Sequence, residues 1–388
     1  MARILLLLTR THWRDFRLYD IQGPALLEAG HEVIYVSGCS QTLTEHAFNW
    51  VTLSNQERWL ARRTGSLNLY IRIFKLKPDV VQLCSLEQLP LGLALKARRV
   101  CRVIYDCRED MASALYERRK TFPVWIRRGI FRSVRALELF VGRQFDGIIT
   151  ADPGVYDLFD STANQRKLIC FNSALLKQFP ASYPNLIDRK YDIAVLGSMS
   201  SLRSGTHHVL DALRLLHLEG ISARLLLIGQ PEGEMSKALK ERIDKYGLKR
   251  YVHCTGWVTH SKVPALLAQA RIGIVPLLDY PKFHRNIACK AFEYMAVGMP
   301  TIASDLPPQR LFLSDETSFF FPPGDVNALA TAIRTLLMDC VRSIQMGKLA
   351  REAVEERWNG EREQEKLRQF YFKIMYLPPQ IGKKPIYV

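Results

Sequence analysis

The residue types most able to do chemistry in this sequence sit together. Asn286, Ile287, Ala288 and Cys289 lead into Lys290-Ala-Phe-Glu293-Tyr-Met-Ala-Val-Gly298-Met-Pro300-Thr-Ile-Ala-Ser-Asp305. The pattern reads as a loop, a helix, a glycine stop and a buried strand. Lys290 falls at the helix start, where an anion would meet backbone N–H groups and an ammonium together. Glu293 follows on the same helical face. Its carboxylate can accept hydrogen bonds from two neighbouring hydroxyls, such as those of a ribose. Gly298 allows the helix to end with positive φ, and Pro300 opens the next strand. The residues alone leave a second reading open, a plain surface helix with a C-terminal cap.

Such a helix needs a scaffold, and the flanking sequence supplies one. Strand-like runs at 192–197, 224–229, 252–255, 272–276 and 300–304 alternate with helical patterns at 209–217, 263–270, 289–297 and 328–338. The first half shows strands at 4–8, 31–36, 80–83, 103–105 and 146–151, and a helix over 19–29 that stops at Gly30. Short apolar strands separated by helices indicate parallel sheets wrapped by helices, so the fold class is α/β. Residues 177–190, with Pro180 and Pro184, carry no periodic pattern and read as a linker. Two such domains facing each other would form a cleft, with ligands beyond the C-terminal strand ends.

Length and composition agree. A chain of 388 residues exceeds what one hydrophobic core normally supports, and 48% hydrophobic residues is ordinary for a globular protein. The net charge of +16 points to anionic partners rather than to a fold. Residues 96–143 carry thirteen basic and five acidic residues, a net of +8. Within 118–145, Ile126, Ile130, Val134, Leu137 and Val141 recur at helical spacing, with Arg127, Arg128, Arg132 and Arg135 off that stripe and Phe122 and Trp125 beside it. This segment is either a solvated charged helix or a surface for anionic membrane lipid. No nucleic-acid recognition motif accompanies the charge, so nucleic acid is not expected as a partner. Eight scattered cysteines, without C-x-x-C spacing, read as reduced thiols. The opening apolar run is too short for a signal peptide or a span. The expected location is the cytoplasm, extending to the inner face of the membrane. No P-loop, no G-x-G-x-x-G after the first strand and no Ser-His-Asp arrangement is found, so a dinucleotide cofactor is not expected. His12, Arg14, Asp15 and Arg17 either line the cleft or form an exposed loop.

The string Lys-x-Phe-Glu-Tyr-Met-Ala-x-Gly-x-Pro-x-Ile-Ala-Ser-Asp resembles the signature of GT-B glycosyltransferases related to the retaining family 4. Other segments fall in the family's order. Leu196-Gly197 with Arg203-Ser204-Gly205 resembles its first glycine loop, and Leu226-Leu-Ile-Gly229 its next strand. Val252-His-Cys-Thr-Gly256-Trp257-Val258 resembles the segment beside the nucleobase, and Phe321-Pro-Pro-Gly324-Asp325 is also similar. The resemblance is weaker in the first half, around Asp15-Phe-Arg17, Ala29-Gly-His-Glu-Val33 and Tyr105-Asp106-Cys-Arg108-Glu-Asp110.

The resemblance implies two facing Rossmann-like domains with parallel sheets: an acceptor-side domain over 1–180, a nucleotide-sugar domain over 190–357, and a segment 358–388 whose helix crosses back to the first. It implies a retaining, metal-independent transfer from a nucleotide-sugar to a glycan or lipid-linked acceptor. The nucleotide-sugar would be a substrate, with no cofactor. Glu293 would hold the ribose, Trp257 and Val258 the base. Gly197, Ser198, Arg203, Gly205 and Gly229 would line the phosphate side with Lys290, and the sugar would lie over His284 to Cys289. Arg108, Arg285 and Lys290 are the implied catalytic groups, and His12, Asp15, Arg17 and Asp106 the acceptor side.

The sequence departs from the family at three places. Arg285 stands eight positions before the helix Glu, where many relatives carry another Glu. Ser198 and Ser204 replace basic residues of the glycine loop, and Arg108 replaces a His. These departures fit either an anionic donor or acceptor, since guanidinium suits planar anions, or a degenerate member acting as a partner subunit. A nucleotide-sugar epimerase on the same fold is a further alternative.

Overall fold

The structure is a computed structural model that describes residues 1–9, 15–37, 48–53, 67–119, 121–180, 182–197 and 199–379. Contacts divide the chain into two units, residues 1–172 with 361–388, and residues 173–360.

The first unit is built on a parallel sheet of seven strands among the described residues: β1 (Arg3–Leu7), β2 (Glu32–Ser37), β3 (Asn49–Thr52), β4 (Val80–Leu83), β5 (Arg102–Cys107), β6 (Gly147–Thr150) and β7 (Lys167–Ile169), in the order β3-β2-β1-β4-β5-β6-β7. β1 is apolar on both faces because both are covered. Leu5 and Leu7 face one core, and Ile4 and Leu6 the other. Its helices are α1 (Gly23–Glu28), preceded by a π-helical turn over Arg17–Gln22, α2 (Leu67–Leu76), α3 (Leu89–Ala97), α4 (Met111–Arg118), α5 (Val124–Gln144) and α6 (Pro153–Tyr156).

The second unit carries a parallel sheet of β8 (Tyr191–Leu196), β9 (Leu225–Ile228), β10 (Val252–Cys254), β11 (Ala270–Val275), β12 (Thr301–Ser304) and β13 (Ser318–Phe321), ordered β10-β9-β8-β11-β12-β13. Around it lie α7 (Thr206–Leu218), α8 (Gly233–Lys245), α9 (Val263–Leu267), α10 (Lys290–Ala296), α11 (Val326–Met338) and α12 (Cys340–Glu356). The strand order reverses between β8 and β11. Loops leaving neighbouring strands diverge there and open a crevice at the strands' C-terminal ends.

The last helix, α13 (Gly360–Tyr376), belongs to the first unit. Leu367, Phe370, Tyr371 and Ile374 recur at helical spacing and are buried against Ile4, Leu6, Val80 and Ile104. Gly147 admits Phe370, since a Cβ there would lie 2.9 Å from its ring.

The periodicity of the sequence does not reveal β3, β7 and β13, nor the helices α2, α3, α4, α6, α8 and α12. It also places the 263–270 helix three residues too far, because α9 ends at Leu267 and β11 begins at Ala270.

Candidate functional site

The crevice between β8 and β11 is made by glycines. Gly197 ends β8 at φ 119° and Gly229 ends β9 at φ 139°, conformations that favour glycine. A Cβ on Gly229 would lie 2.3 Å from the Gly197 carbonyl oxygen, so the two strand ends pack backbone to backbone. The chain then makes a short turn over Leu202–Ser204 and enters α7 through Gly205, left-handed at φ 69°. A Cβ on Gly205 would stand 1.7 Å from the carbonyl oxygen of Pro276, just past β11. The loop is therefore pinned to the opposite lip of the crevice, and Leu278 N–H donates to the Arg203 carbonyl at 3.1 Å. Gly205→Ala is expected to cost about 1–3 kcal/mol from the backbone conformation alone, with the clash added. Thermal denaturation would show the lowered melting temperature.

Helix α10 supplies the side chains. Tyr294 is fully buried and locks the helix to the sheet: its hydroxyl accepts from Leu196 N–H at 2.8 Å and donates to the Ile274 carbonyl at 3.2 Å. Gly273 makes room for that ring, since a Cβ there would fall 2.4 Å from it. With Tyr294 fixed, Lys290 is aimed at the glycine loop. A Cβ on Gly197 would lie 3.7 Å from both Cε and Nζ of Lys290. Burial pushes the Lys290 ammonium down to about 8, against the attraction of Glu293. Glu293, one turn away, has its Oε1 2.6 Å from Nε2 of His260. The Glu293 side chain is 14% exposed and that of His260 27%, so the pair lies at the surface of the crevice rather than in the core.

His260 was not singled out from the sequence, and no spacing rule ties it to a residue 33 positions away. Tyr294 lies inside the motif that carries Lys290 and Glu293, and its hydroxyl positions both by tying the helix to β8 and β11. Of the other expected residues, Trp257 is 71% exposed and Val258 half-buried. Asn286, Ile287 and Ala288 are buried, and Cys289 caps α10. Arg203 directs Nε to Ser201 Oγ at 3.2 Å, with its guanidinium 5.8 Å from the Tyr280 ring centre. Arg285 is half-buried after the short turn Pro281–His284. Ser198 and His12 lie outside the described residues.

The first-unit candidates form a separate polar cluster. Arg17 and Asp106 are 4% and 1% exposed and face each other, with Nε–Oδ2 and Nη2–Oδ1 distances of 2.9 Å. Gln22 and Gln82 also donate to Asp106, at 3.3 and 3.4 Å. Arg17 continues to the Cys170 carbonyl at 2.5 Å and to Asn172 Oδ1 at 2.9 Å. Arg17 and Asp106 thus satisfy each other in the interior of the first unit, at the C-terminal end of β5. A charge on a strand interior must be paired to be buried, and here the pair ties β5 to the first helical turn. Arg108 donates to Asp15 Oδ2 at 2.6 Å. Burial alone would raise the Asp15 carboxyl, but contact with Arg108 outweighs it and holds the group below its ordinary range. Arg108 Nε and Nη2 are buried without a hydrogen-bond partner among the described residues.

Residues 190–339 match the family model of glycosyl transferases group 1. A 162-residue stretch is 28% identical to a putative colanic acid biosynthesis glycosyltransferase, WcaL, of Escherichia coli K12, covering 40% of this chain and 39% of that protein. The chain thus spans well under two thirds of that relative's length. The fold is shared with sucrose-phosphate synthase from Thermosynechococcus elongatus (TM-score 0.76, 18% identity, 96% of this chain and 99% of that one). It is shared also with Anabaena HepE in complex with UDP-glucose (TM-score 0.75, 16% identity, 96% and 100%). The two parallel sheets and these neighbours place the chain in the GT-B fold class.

Proposed function

We propose that this chain, whose residues 190–339 form a glycosyl transferases group 1 domain, moves a sugar from a nucleotide-sugar to a glycan or lipid-linked acceptor. The observation that carries the reading is the Lys290 ammonium set against Gly197 at the sheet's switch point, with the Glu293 carboxylate one turn away. That spacing suits a nucleoside diphosphate. The diphosphate would lie along Gly197, Gly205, Arg203 and Lys290, and the ribose on Glu293. The base would lie toward Trp257 and Val258, and the sugar over Asn286 to Cys289. The HepE relative was solved with UDP-glucose, a ligand of this class. Transfer would retain configuration and need no metal, because Lys290 and Arg203 would take up charge on the leaving diphosphate. Arg285 and Arg108 are proposed to meet an anionic group on donor or acceptor.

A panel of nucleotide-sugars tests this, first by thermal stabilisation and then by nucleotide release with acceptors. If no nucleotide-sugar stabilises the protein, the proposal fails. Binding without release across glycan and lipid-linked acceptors would favour the partner-subunit reading, which Arg285 and the substituted glycine-loop serines also fit.

Lys290 makes nucleotide binding pH-dependent. Its ammonium is charged below about 8, and a bound diphosphate stabilises that form. Affinity for a nucleoside diphosphate is expected to be level from that value down to about pH 6, where the ligand's own terminal phosphate begins to take up a proton. Affinity should fall by up to about tenfold per pH unit above the Lys290 value. Calorimetric titration at several pH values would show this slope in the wild type and its loss in Lys290→Met.

A further inference from the structure

Helices α2, α3 and α5 cover one face of the seven-stranded sheet: Leu69 and Ile73, Leu91 and Leu95, and Val141 and Phe145 share a core with Leu5, Val81 and Val103. The outer surface of these helices carries charge of one sign. α2 and α3 contain no acidic residue, and α5 contains only Glu138, which is 2% exposed and turned onto the Tyr105 hydroxyl at 3.2 Å. Along α5, Trp125, Arg128, Arg132, Ala136, Phe140 and Arg143 are exposed at steps of three and four residues. They form a single stripe roughly 27 Å long. Trp125 is 75% and Phe140 51% exposed, and Phe74 on α2 is 56% exposed.

The arginines on the helix flanks have partners. Arg127 donates to the Tyr116 carbonyl and lies 4.1 Å over its ring, and Arg135 pairs with Asp110 at 2.6 Å. Arg128 and Arg132, on the stripe itself, meet no carboxylate among the described residues. Trp125 and Phe140 thus flank the guanidinium groups of Arg128 and Arg132 on one open helix face. A helix lying in a membrane interface requires this pattern: rings entering the acyl boundary, and arginines beside anionic headgroups. No helix among the described residues is long and apolar enough to cross a membrane, so the contact would be peripheral.

We propose that the outer face of α5 docks the protein on an anionic lipid surface. The proposal stands on surface chemistry and does not depend on sugar transfer. Nucleic acid would use the arginines but leaves the exposed Val124, at 49%, and Ile71, at 41%, without a role.

Flotation with phosphatidylcholine vesicles, with and without phosphatidylglycerol, tests it. The wild type is expected to float only with the anionic vesicles. Arg128→Glu with Arg132→Glu should weaken partition by about fivefold or more per arginine, and Trp125→Ser with Phe140→Ser should weaken it as well. Both variants alter exposed residues and are expected to keep the wild-type melting temperature. Three outcomes would overturn the proposal: equal flotation with neutral vesicles, no flotation with anionic ones, or full binding by the arginine variant. So would arginine-dependent retention of double-stranded DNA together with vesicle binding indifferent to Trp125 and Phe140, which would mark a general polyanion surface.

Discussion

Glu293→Ala is expected to weaken nucleoside diphosphate binding by about 100-fold or more, since two hydrogen bonds to a charged group contribute about 1.5–3 kcal/mol each. The proposed partners are two ribose hydroxyls, so an analogue lacking both should bind the wild type more weakly and the variant no worse than the parent nucleotide. Isothermal titration with the two ligands and two proteins gives the coupling directly. Equal loss with either ligand would mean that Glu293 shapes the loop instead of touching the ribose. His260 enters the same cycle. It holds Oε1 of Glu293 at 2.6 Å and leaves Oε2 to accept from ligand. His260→Ala should cost less than Glu293→Ala, and the loss should again vanish with the analogue. His260→Gln, whose amide still donates, should recover most of the affinity.

Asp106→Ala is expected to destabilise the first unit by about 3–5 kcal/mol, because it strands the Arg17 guanidinium in the interior. Gln22 and Gln82 would lose the same acceptor. An exposed pair offers the contrast. Arg310 meets Asp315 at 2.9 Å, but the Asp315 side chain is 82% exposed, and water replaces the contact, so Asp315→Ala should cost at most about 1 kcal/mol. Denaturant unfolding of both variants would show the difference. A small effect at Asp106 would mean that solvent reaches Arg17 once the carboxylate is gone.

The parallel sheets were legible because strands such as Ile4–Leu7 and Leu225–Ile228 are buried on both faces and read as unbroken apolar runs. The missed elements lack that signature. α8 buries only Met235 and Leu239 along thirteen residues, too few to set a helical period. β7 has three residues and begins with a lysine. α12 packs through small side chains such as Ser343, Gly347, Ala350 and Ala353, which a hydrophobicity pattern hardly registers. At the site, Lys290, Glu293 and the glycines could be read locally, since a helix start and left-handed turns have residue preferences. The Glu293–His260 contact and the Arg17–Asp106 pair could not, because each joins positions that only the folded sheet brings together. Motif order singled out Arg17 and Asp106 one by one, and only the fold shows that they pair with each other and hold β5.

The first unit takes its last helix from the far end of the chain, with the whole second unit lying between in sequence. During synthesis, Ile4, Leu6, Val80 and Ile104 emerge long before Leu367, Phe370 and Ile374 arrive to cover them. Domains generally fold as units while the chain is being made. In this protein residues 173–360 contain all of their own core, whereas the earlier-made sheet keeps one face only partly covered until the last helix arrives. A chain cut after residue 360 would keep every residue of the second unit's core but leave the first unit's sheet without the cover of Leu367, Phe370 and Ile374, the form most in need of a chaperone.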